Sequence, residues 1–202
     1  AEKICDISGM KKVFFGNSGA EANEAAIKLA RLFGHNSGLK LPTILVMDNA
    51  FHGRTLATLS ASAGRRVQAG FEPLVTGFAR GPFNDASALE KIADNNPNIC
   101  AIFVEPIQGE AGVYVPSQGY LSSAKALCEE FGVLFIADEV QTGIARTGRL
   151  LATCGNCSCE DKNCSKTPDV KPDILILGKA LSGGAYPVSA VLANNDIMNV
   201  IK

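Results

Sequence analysis

Short runs of large apolar residues, each ending abruptly at polar residues or glycine, constrain the fold of this chain more than any other feature. The clearest runs are TILVM (43–47), CAIFV (100–104), VLFIA (133–137) and ILIL (174–177). A strand that is apolar on both faces suits a parallel sheet covered by helices, and helical patterns lie between the runs. The sequence therefore predicts an α/β fold with a mostly parallel central sheet and helices on both faces.

Weaker patterns complete this layout. Further strands are predicted at 13–15 and 188–192, and helices at 20–33, 86–94, 119–131 and from 194 onward. Asp85 is a plausible cap for the helix at 86–94. The segment 63–84 carries glycines and prolines without clear periodicity, so it is predicted to be a loop that crosses the surface.

Lys179 follows the run Ile174–Leu177 after a single glycine, Gly178. Ligands of parallel sheets bind just beyond the carboxyl ends of the strands, so Lys179 is expected at the ligand edge. Ala180 and Ser182 leave little bulk around the amine, and a flat ligand could approach it closely. A lysine at such a position is, taken alone, more often a solvated surface residue.

Asp138 comes directly after the run VLFIA. Burying a carboxylate is costly without a cationic or hydrogen-bonding partner, so this position suggests a function. Lys179 lies 41 residues further along the chain (179 − 138), which leaves room for one connection between neighbouring strands. Asp138 and Lys179 are therefore predicted to meet at one edge of the sheet.

The predicted strand at 13–15 is followed by a glycine-containing turn and then by the start of a helix. Backbone N–H groups at a helix N-terminus are unpaired, so Ser18, Gly19 and Ala20 could hold a phosphate without a charged side chain. A capped helix start, with Ser18 as the cap, explains the same residues equally well.

An aromatic residue, a histidine and an arginine follow the run TILVM. Phe51 could lie flat on a ring and Arg54 could bind a carboxylate through its guanidinium fork. The alternative is a core phenylalanine beside a surface arginine, and His52 is interpreted as a structural or stacking histidine. Glu105 and Glu110 follow the run CAIFV, where they could act in acid–base chemistry or substrate gating, or be loop acids in water.

Collected at one edge, these residues describe a pocket for a ligand with a phosphate, a flat ring and a carbonyl group. Pyridoxal 5′-phosphate has all three. Lys179 would form an imine with it, Asp138 would pair with the protonated ring nitrogen, and Phe51 would cover the ring. An amine released near the substrate carbon could then move a proton.

Five stretches resemble the class III aminotransferases of fold type I, and they occur in the same order. They are VFFGNSGAEANEAAIKLAR, AFHGRT, VEPIQGEAGV, LFIADEVQTGIARTGR and PDILILGKALSGGAYPVSAVL. Within that family, GGAYPVSAVL and NDIM are most similar to the ornithine aminotransferases. The resemblance implies the three-layer large domain of fold type I enzymes.

The resemblance also implies a role for each matched residue. Lys179 is the Schiff-base lysine, Asp138 binds the pyridinium nitrogen, Gln141 the ring hydroxyl, and Phe51 stacks on the ring, while Gly19 and Ala20 bind phosphate through their backbones. Arg54 would bind a substrate carboxylate. Glu110 matches the gating glutamate of the family. No metal site is expected.

The implied reaction moves the δ-amino group of ornithine to 2-oxoglutarate by a ping-pong route, giving glutamate semialdehyde and glutamate. Acetylornithine or another ω-amino compound is the alternative donor. A catalytically silent redox or metal-binding module is the alternative from another class. The complete enzyme is expected to be a homodimer in the cytoplasm or the mitochondrial matrix.

Residues 1–202 are expected to be one cofactor-binding large domain without the N-terminal segment and C-terminal small domain of the family. The formal net charge of −1 gives no reason to expect a nucleic-acid partner, and no apolar run approaches the length of a membrane span. An unusual insert occupies about 153–171 and contains Cys154, Cys157, Cys159 and Cys164. Their spacing is open to a zinc knuckle, disulfides, a thiol switch or incidental loop cysteines.

Overall fold

The computed structural model describes residues 1–153 and 170–201. The strands in this part are β1 (Lys12–Gly16), β2 (Thr43–Met47), β3 (Phe78–Gly81), β4 (Ile99–Val104), β5 (Leu134–Asp138), β6 (Ile174–Leu177) and β7 (Ser189–Ala193). The α-helices are α1 (Glu2–Ser8), α2 (Gly19–Asn36), α3 (Leu56–Ala61), α4 (Arg65–Gln68), α5 (Ala86–Asp94), α6 (Tyr120–Phe131) and α7 (Asn195–Met198). A 3₁₀ turn spans Lys179–Ser182.

These strands form one sheet in the order β1-β7-β6-β5-β4-β2-β3. The pairs β2–β3, β2–β4, β4–β5 and β5–β6 are parallel, and β7 is antiparallel to both of its neighbours. Because β1 is antiparallel to β7, it runs in the same direction as β6. The mostly parallel sheet is confirmed, and the carboxyl ends of β1, β2, β4, β5 and β6 share one edge.

Two apolar clusters lie on opposite faces of the sheet because successive strand side chains alternate in direction. Along β4, Ile102 belongs to the cluster that includes residues of α1 and α6, whereas Phe103 belongs to the cluster that includes residues of α2. Both side chains are fully buried. The three-layer arrangement follows, with helices covering each face.

The predicted element positions agree closely where an apolar run or a capped helix marked them. β2 and α5 have the predicted bounds, and the Asp85 side chain accepts a hydrogen bond from the Ala88 N–H at 3.0 Å, as expected of a cap. No helix among the described residues is long and apolar enough to cross a bilayer.

The prediction of a surface loop at 63–84 is wrong. This segment contains α4 and β3, and β3 pairs in parallel with β2. β3 is a four-residue strand at the edge of the sheet, and only Gly81 of it is buried, so it has no apolar run to reveal it. The short α1 and α3 were also missed.

Candidate active site

A cavity of about 370 Å³ lies at the carboxyl edge of the sheet, where the segments after β2, β4, β5 and β6 meet the start of α2. It is lined by seven of the nine predicted site residues: Gly19, Ala20, Phe51, Arg54, Asp138, Gln141 and Lys179. Ser18 and Glu110 do not line it. The other lining residues are Asn23, His52, Gly53, Glu105 and Val140.

Asp138 is the last residue of β5 and is 4% exposed. Its Oδ2 atom accepts hydrogen bonds from Asn23 Nδ2 at 2.9 Å and from His52 Nδ1 at 2.8 Å, and its Oδ1 atom accepts one from the Val140 N–H at 3.1 Å. Within the described part of the chain, Oδ1 keeps the capacity to accept one further hydrogen bond. The carboxylate is therefore held in a fixed orientation with one acceptor position open.

His52 and Asn23 form the wall behind Asp138. The His52 ring is 1% exposed and stacks on Phe103, with 3.9 Å between ring centroids and 16° between planes. Because its Nδ1 faces the Asp138 carboxylate, Nδ1 is the protonated ring nitrogen and donates the hydrogen bond. The expected stacking role is present, and the hydrogen bond to Asp138 is an addition that the sequence did not reveal. Asn23 lies four residues after Gly19, one helical turn along the same face.

Glu105 is a second buried carboxyl group, 3% exposed, and its Oε1 accepts a hydrogen bond from the Phe51 N–H at 2.8 Å. Burial raises the pKa of Glu105 to about 7, and the nearby Asp138 carboxylate acts in the same direction. His52 and the N–H groups of Phe51 and Gly109 oppose that rise. The sequence signal for Glu105 was the same as for Asp138, a carboxylate directly after a buried strand.

The start of α2 closes another side of the cavity. The Ser18 hydroxyl accepts a hydrogen bond from the Glu21 N–H at 3.2 Å, so Ser18 is the helix cap. The Glu21 carboxylate in turn accepts the Asn17 N–H at 2.5 Å. Among the described residues, the N–H groups of Gly19 and Ala20 have no hydrogen-bond partner and lie at the cavity wall, where they could bind an anion.

Lys179 begins the 3₁₀ turn that follows β6 and has a positive φ of 40°. Such a backbone conformation is uncommon for a residue with a side chain and clusters at functional sites. Among residues 1–153 and 170–201, no carboxylate pairs with its amine. Lys179 and Asp138 stand at the ends of the neighbouring strands β6 and β5, as their spacing predicted.

Gln141 connects the cavity to Glu110. Its Nε2 donates a hydrogen bond to Glu110 Oε1 at 3.3 Å, and Glu110 is exposed. A Cβ at Gly109 would overlap Gln141 Oε1, so a side chain there would displace the Gln141 carboxamide from this position. Arg54 is exposed, with its Cζ atom 5.8 Å from the centroid of the Phe51 ring.

A second cavity of about 400 Å³ adjoins the first. Its lining comprises Ile107, Gly109, Val113, Gln141, Thr142, Arg146, Thr147, Lys179 and Ala180. It therefore shares Gln141 and Lys179 with the first cavity, and space is open on two sides of the lysine.

The comparisons with known proteins agree with this geometry. The family model for class-III aminotransferases matches residues 1–202. The chain belongs to the class-III aminotransferases.

Several relatives in this family are closely similar. The chain is 48% identical over 202 residues to the acetylornithine aminotransferase of Nitrosomonas europaea, covering 100% of this chain and 48% of that protein. It is 47% identical over 203 residues to the ornithine aminotransferase of Plasmodium falciparum, covering 98% of this chain and 46% of that protein. The chain thus spans about half the length of the curated relatives it matches.

A solved structure gives the same result for the fold. The ornithine aminotransferase of Toxoplasma gondii, crystallised with oxidised glutathione and showing partial occupancy of pyridoxal phosphate at its active site, has a TM-score of 0.90 and 40% identity to this chain. The match covers 100% of this chain and 45% of that one.

Class-III aminotransferases use pyridoxal 5′-phosphate, and the residues of the first cavity fit that group. The cavity offers a primary amine, a carboxylate with an open acceptor position, an aromatic side chain and unpaired helix N–H groups. These match an aldehyde, a ring nitrogen, a ring face and a phosphate in turn.

The predicted roles of the individual site residues stay predictions, and five further lining residues were not predicted to bind the cofactor. Val140 is among them, with its side chain packed so closely against the start of α2 that a Cβ at Gly19 would lie 2.8 Å from Val140 Cγ1. The Cys-rich insert, with Cys154, Cys157, Cys159 and Cys164, falls outside the described residues except at its ends.

Proposed function

We propose that the complete protein is a pyridoxal-phosphate-dependent aminotransferase that moves the δ-amino group of ornithine to 2-oxoglutarate, giving glutamate semialdehyde and glutamate by a ping-pong route. The observation that carries this proposal is the placement of Lys179 and Asp138 on adjacent strand ends beside one cavity. The ornithine aminotransferases among its relatives support the choice of donor.

Each group of the chain has a task in this reaction. Pyridoxal phosphate, when bound, supplies an electron sink that stabilises negative charge on the substrate carbon. The Lys179 amine would bind the aldehyde carbon of the cofactor and, once displaced by a substrate amine, would carry the proton from the amine-bearing carbon of the substrate to the former aldehyde carbon of the cofactor. Asp138 keeps a proton on the ring nitrogen, and Gln141 donates to or accepts from the ring hydroxyl.

Other residues bind and orient. Phe51 covers one face of the ring and excludes water from it. The N–H groups of Gly19 and Ala20 hold the phosphate at the start of α2, and Ser18 supports them as the cap of that helix. Arg54 binds a substrate carboxylate, and Glu110, hydrogen-bonded to Gln141, acts as the gate for the second substrate.

Reductive labelling tests the cofactor site. Pyridoxal phosphate is added to the purified protein, the bound form is reduced with borohydride, and the modified lysine is mapped by mass spectrometry. We expect selective labelling of Lys179, loss of that label in Lys179→Ala, and full labelling in the control Lys91→Ala, which changes an exposed lysine of α5. Scattered labelling of surface lysines in the complete protein would contradict the proposal.

Acetylornithine is the second candidate donor, because the Nitrosomonas europaea relative is as similar as the ornithine aminotransferases. A coupled assay on the complete protein, with 2-oxoglutarate as acceptor, compares kcat/KM for ornithine, acetylornithine and other ω-amino compounds. A higher kcat/KM for ornithine supports the proposal. A higher value for acetylornithine would replace the donor and leave the aminotransferase mechanism intact.

We also propose that the complete protein is a homodimer. Large apolar side chains are exposed on this chain, among them Phe14 at 54%, Phe15 at 46% and Tyr186 at 73%, and such surfaces commonly mark protein interfaces. Sedimentation of the complete protein should give the mass of two chains, and a concentration-independent monomer would contradict this.

A further inference from the structure

Glu139 is a buried carboxylate for which the proposed reaction gives no role. It follows Asp138 in the chain and is 1% exposed, yet it does not line the cofactor cavity. From the described residues its two oxygens accept four hydrogen bonds: from Thr142 Oγ1 at 2.8 Å, the Ala152 N–H at 2.8 Å, the Thr153 N–H at 2.9 Å and Thr153 Oγ1 at 2.8 Å.

The donors come from both ends of one loop. Thr142 belongs to the turn directly after β5, whereas Ala152 and Thr153 lie ten and eleven residues later. Hydrogen bonds to a buried charged acceptor are strong, and removal of the acceptor leaves several donors unsatisfied. The Glu139 carboxylate therefore clamps the two ends of this loop together, and the Val170 N–H donates to Thr153 O at 2.9 Å on its outer side.

The backbone inside the clamp is strained. Ile144 and Ala145 have positive φ values of 55° and 63°, a region that a β-branched residue rarely occupies. Gly143 has no room for a side chain, because a Cβ there would lie 2.8 Å from Leu177 Cδ2 and 2.9 Å from Glu139 O. Strained conformations persist only when surrounding contacts enforce them, and the Glu139 hydrogen bonds are such contacts.

Glu139 also stands between cofactor-facing residues. Asp138 precedes it and Gln141 follows it by two positions, and both line the cavity. The Glu139 N–H donates to Ile176 O at 2.9 Å, which ties this turn to β6, the strand that leads to Lys179. A change at the Glu139 carboxylate thus acts on the backbone that orients the cofactor-facing side chains.

We propose that Glu139 is a positioning residue whose buried carboxylate holds Asp138 and Gln141 in the orientation that the cofactor requires. This inference rests on the proposed function of the cavity. Glu139 touches neither substrate nor cofactor, and it acts through the turn that carries its neighbours.

The test compares Glu139→Gln and Thr153→Val with the control Glu130→Gln, a change of an exposed glutamate on α6. An amide offers one acceptor oxygen where the carboxylate offers two, so two donors lose their partner. We expect Glu139→Gln to raise the dissociation constant of pyridoxal phosphate about tenfold, the effect of roughly one charged hydrogen bond. The pH midpoint of the absorbance band of the bound cofactor should shift as well.

Thr153→Val removes one donor at the far side of the clamp and leaves the sequence 138–142 unchanged. It should shift the dissociation constant of pyridoxal phosphate and the pH midpoint of the absorbance band in the same direction as Glu139→Gln, but by less. The double variant should show less than the sum of the two single effects. The melting temperature of the cofactor-free protein is measured for every variant. A lowered melting temperature with unchanged affinity and unchanged pH midpoint would overturn the positioning role and leave only a structural one.

The same experiments distinguish failure of the proposed cofactor site from failure of the proposed role of Glu139. If the unsubstituted protein neither binds pyridoxal phosphate nor labels at Lys179, the cavity is not a cofactor site and this inference falls with it. If the unsubstituted protein binds and labels normally while Glu139→Gln and Thr153→Val behave like Glu130→Gln, the cofactor site stands and the role of Glu139 is refuted.

Discussion

Single side chains around Asp138 determine what that carboxylate can do. Asn23 and His52 both donate to Oδ2, whereas among the described residues Oδ1 accepts only the Val140 N–H and so keeps one acceptor position open. This asymmetry gives the two oxygens different tasks. Oδ2 is held by two side chains, and Oδ1 keeps the acceptor position that the proposed function assigns to a ring nitrogen.

In the variant Asp138→Asn, the different partners of the two oxygens should determine how the amide group is oriented. The two donors select the amide oxygen at the Oδ2 position, which leaves the NH₂ group at the Oδ1 position, beside the Val140 N–H, where it cannot accept a hydrogen bond from a protonated ring nitrogen. We expect kcat of the complete enzyme to fall about 100-fold or more, with the protein still folded. Asp94→Asn, an exposed change on α5, is the control, and steady-state kinetics with near-normal kcat for Asp138→Asn would contradict this role.

Glu105 should make stability depend on pH. Its pKa is raised by burial from the usual 4.5 to about 7 in the folded chain, so between these values the folded state binds more protons than the unfolded state. The free energy of unfolding should therefore fall as pH rises from about 4.5 to about 7, by about 3 kcal/mol at most, and then level off.

Glu105→Gln keeps an acceptor for the Phe51 N–H and removes the titrating proton. Urea unfolding of the cofactor-free protein between pH 4.5 and 8 should show a flatter profile for this variant than for the unsubstituted chain. Identical profiles would mean that Glu105 does not titrate in this range.

At the scale of elements, the apolar runs predicted every strand that is covered on both faces. Such a strand is a run of consecutive apolar residues, which can be recognised from the sequence alone. β3 escaped because it is an edge strand whose sequence FARG contains one buried residue. The β5 and β6 ends could be predicted to lie side by side, because Lys179 follows Asp138 by 41 residues (179 − 138), which leaves room for one connection between neighbouring strands. The contact of His52 with Asp138 could not, because it depends on side-chain directions across 86 residues.

The start of α2 provides a prediction for one element. Ser18→Ala removes the acceptor for the Glu21 N–H and should lower the free energy of unfolding by about 1 kcal/mol, measured by denaturant titration. The backbone N–H groups of Gly19 and Ala20 remain, so affinity for pyridoxal phosphate should change little. Ser122→Ala on the exposed face of α6 is the matched control. A large loss of affinity in Ser18→Ala would show that the hydroxyl itself contacts the cofactor.

At the scale of the whole molecule, the insert between β5 and β6 joins the strands that carry Asp138 and Lys179. At its described ends, the Val170 N–H donates a hydrogen bond to Thr153 O, and Thr153 donates to the Glu139 carboxylate. The cysteines between them were predicted from spacing alone to be zinc ligands, disulfides, a thiol switch or incidental, and their arrangement lies outside the described residues.

The thiol-switch hypothesis has a direct test in the complete enzyme. Activity is measured after treatment with a thiol oxidant and after reduction. If the insert acts as a switch, Cys154→Ser and Cys157→Ser together should abolish the difference, while Cys128→Ser, a buried cysteine of α6, should preserve it. An undiminished response in the double variant would rule these cysteines out.

The position of β1 has a consequence for synthesis on the ribosome. In the described sheet β1 pairs only with β7, and Phe15 lies opposite Ala190, 175 residues later in the chain (190 − 15). At typical translation speeds β1 waits roughly 10 to 35 s for its partner strand. Because β1 leads directly to Gly19 and Ala20 at the start of α2, we expect a nascent chain to bind its coenzyme only after β7 has emerged.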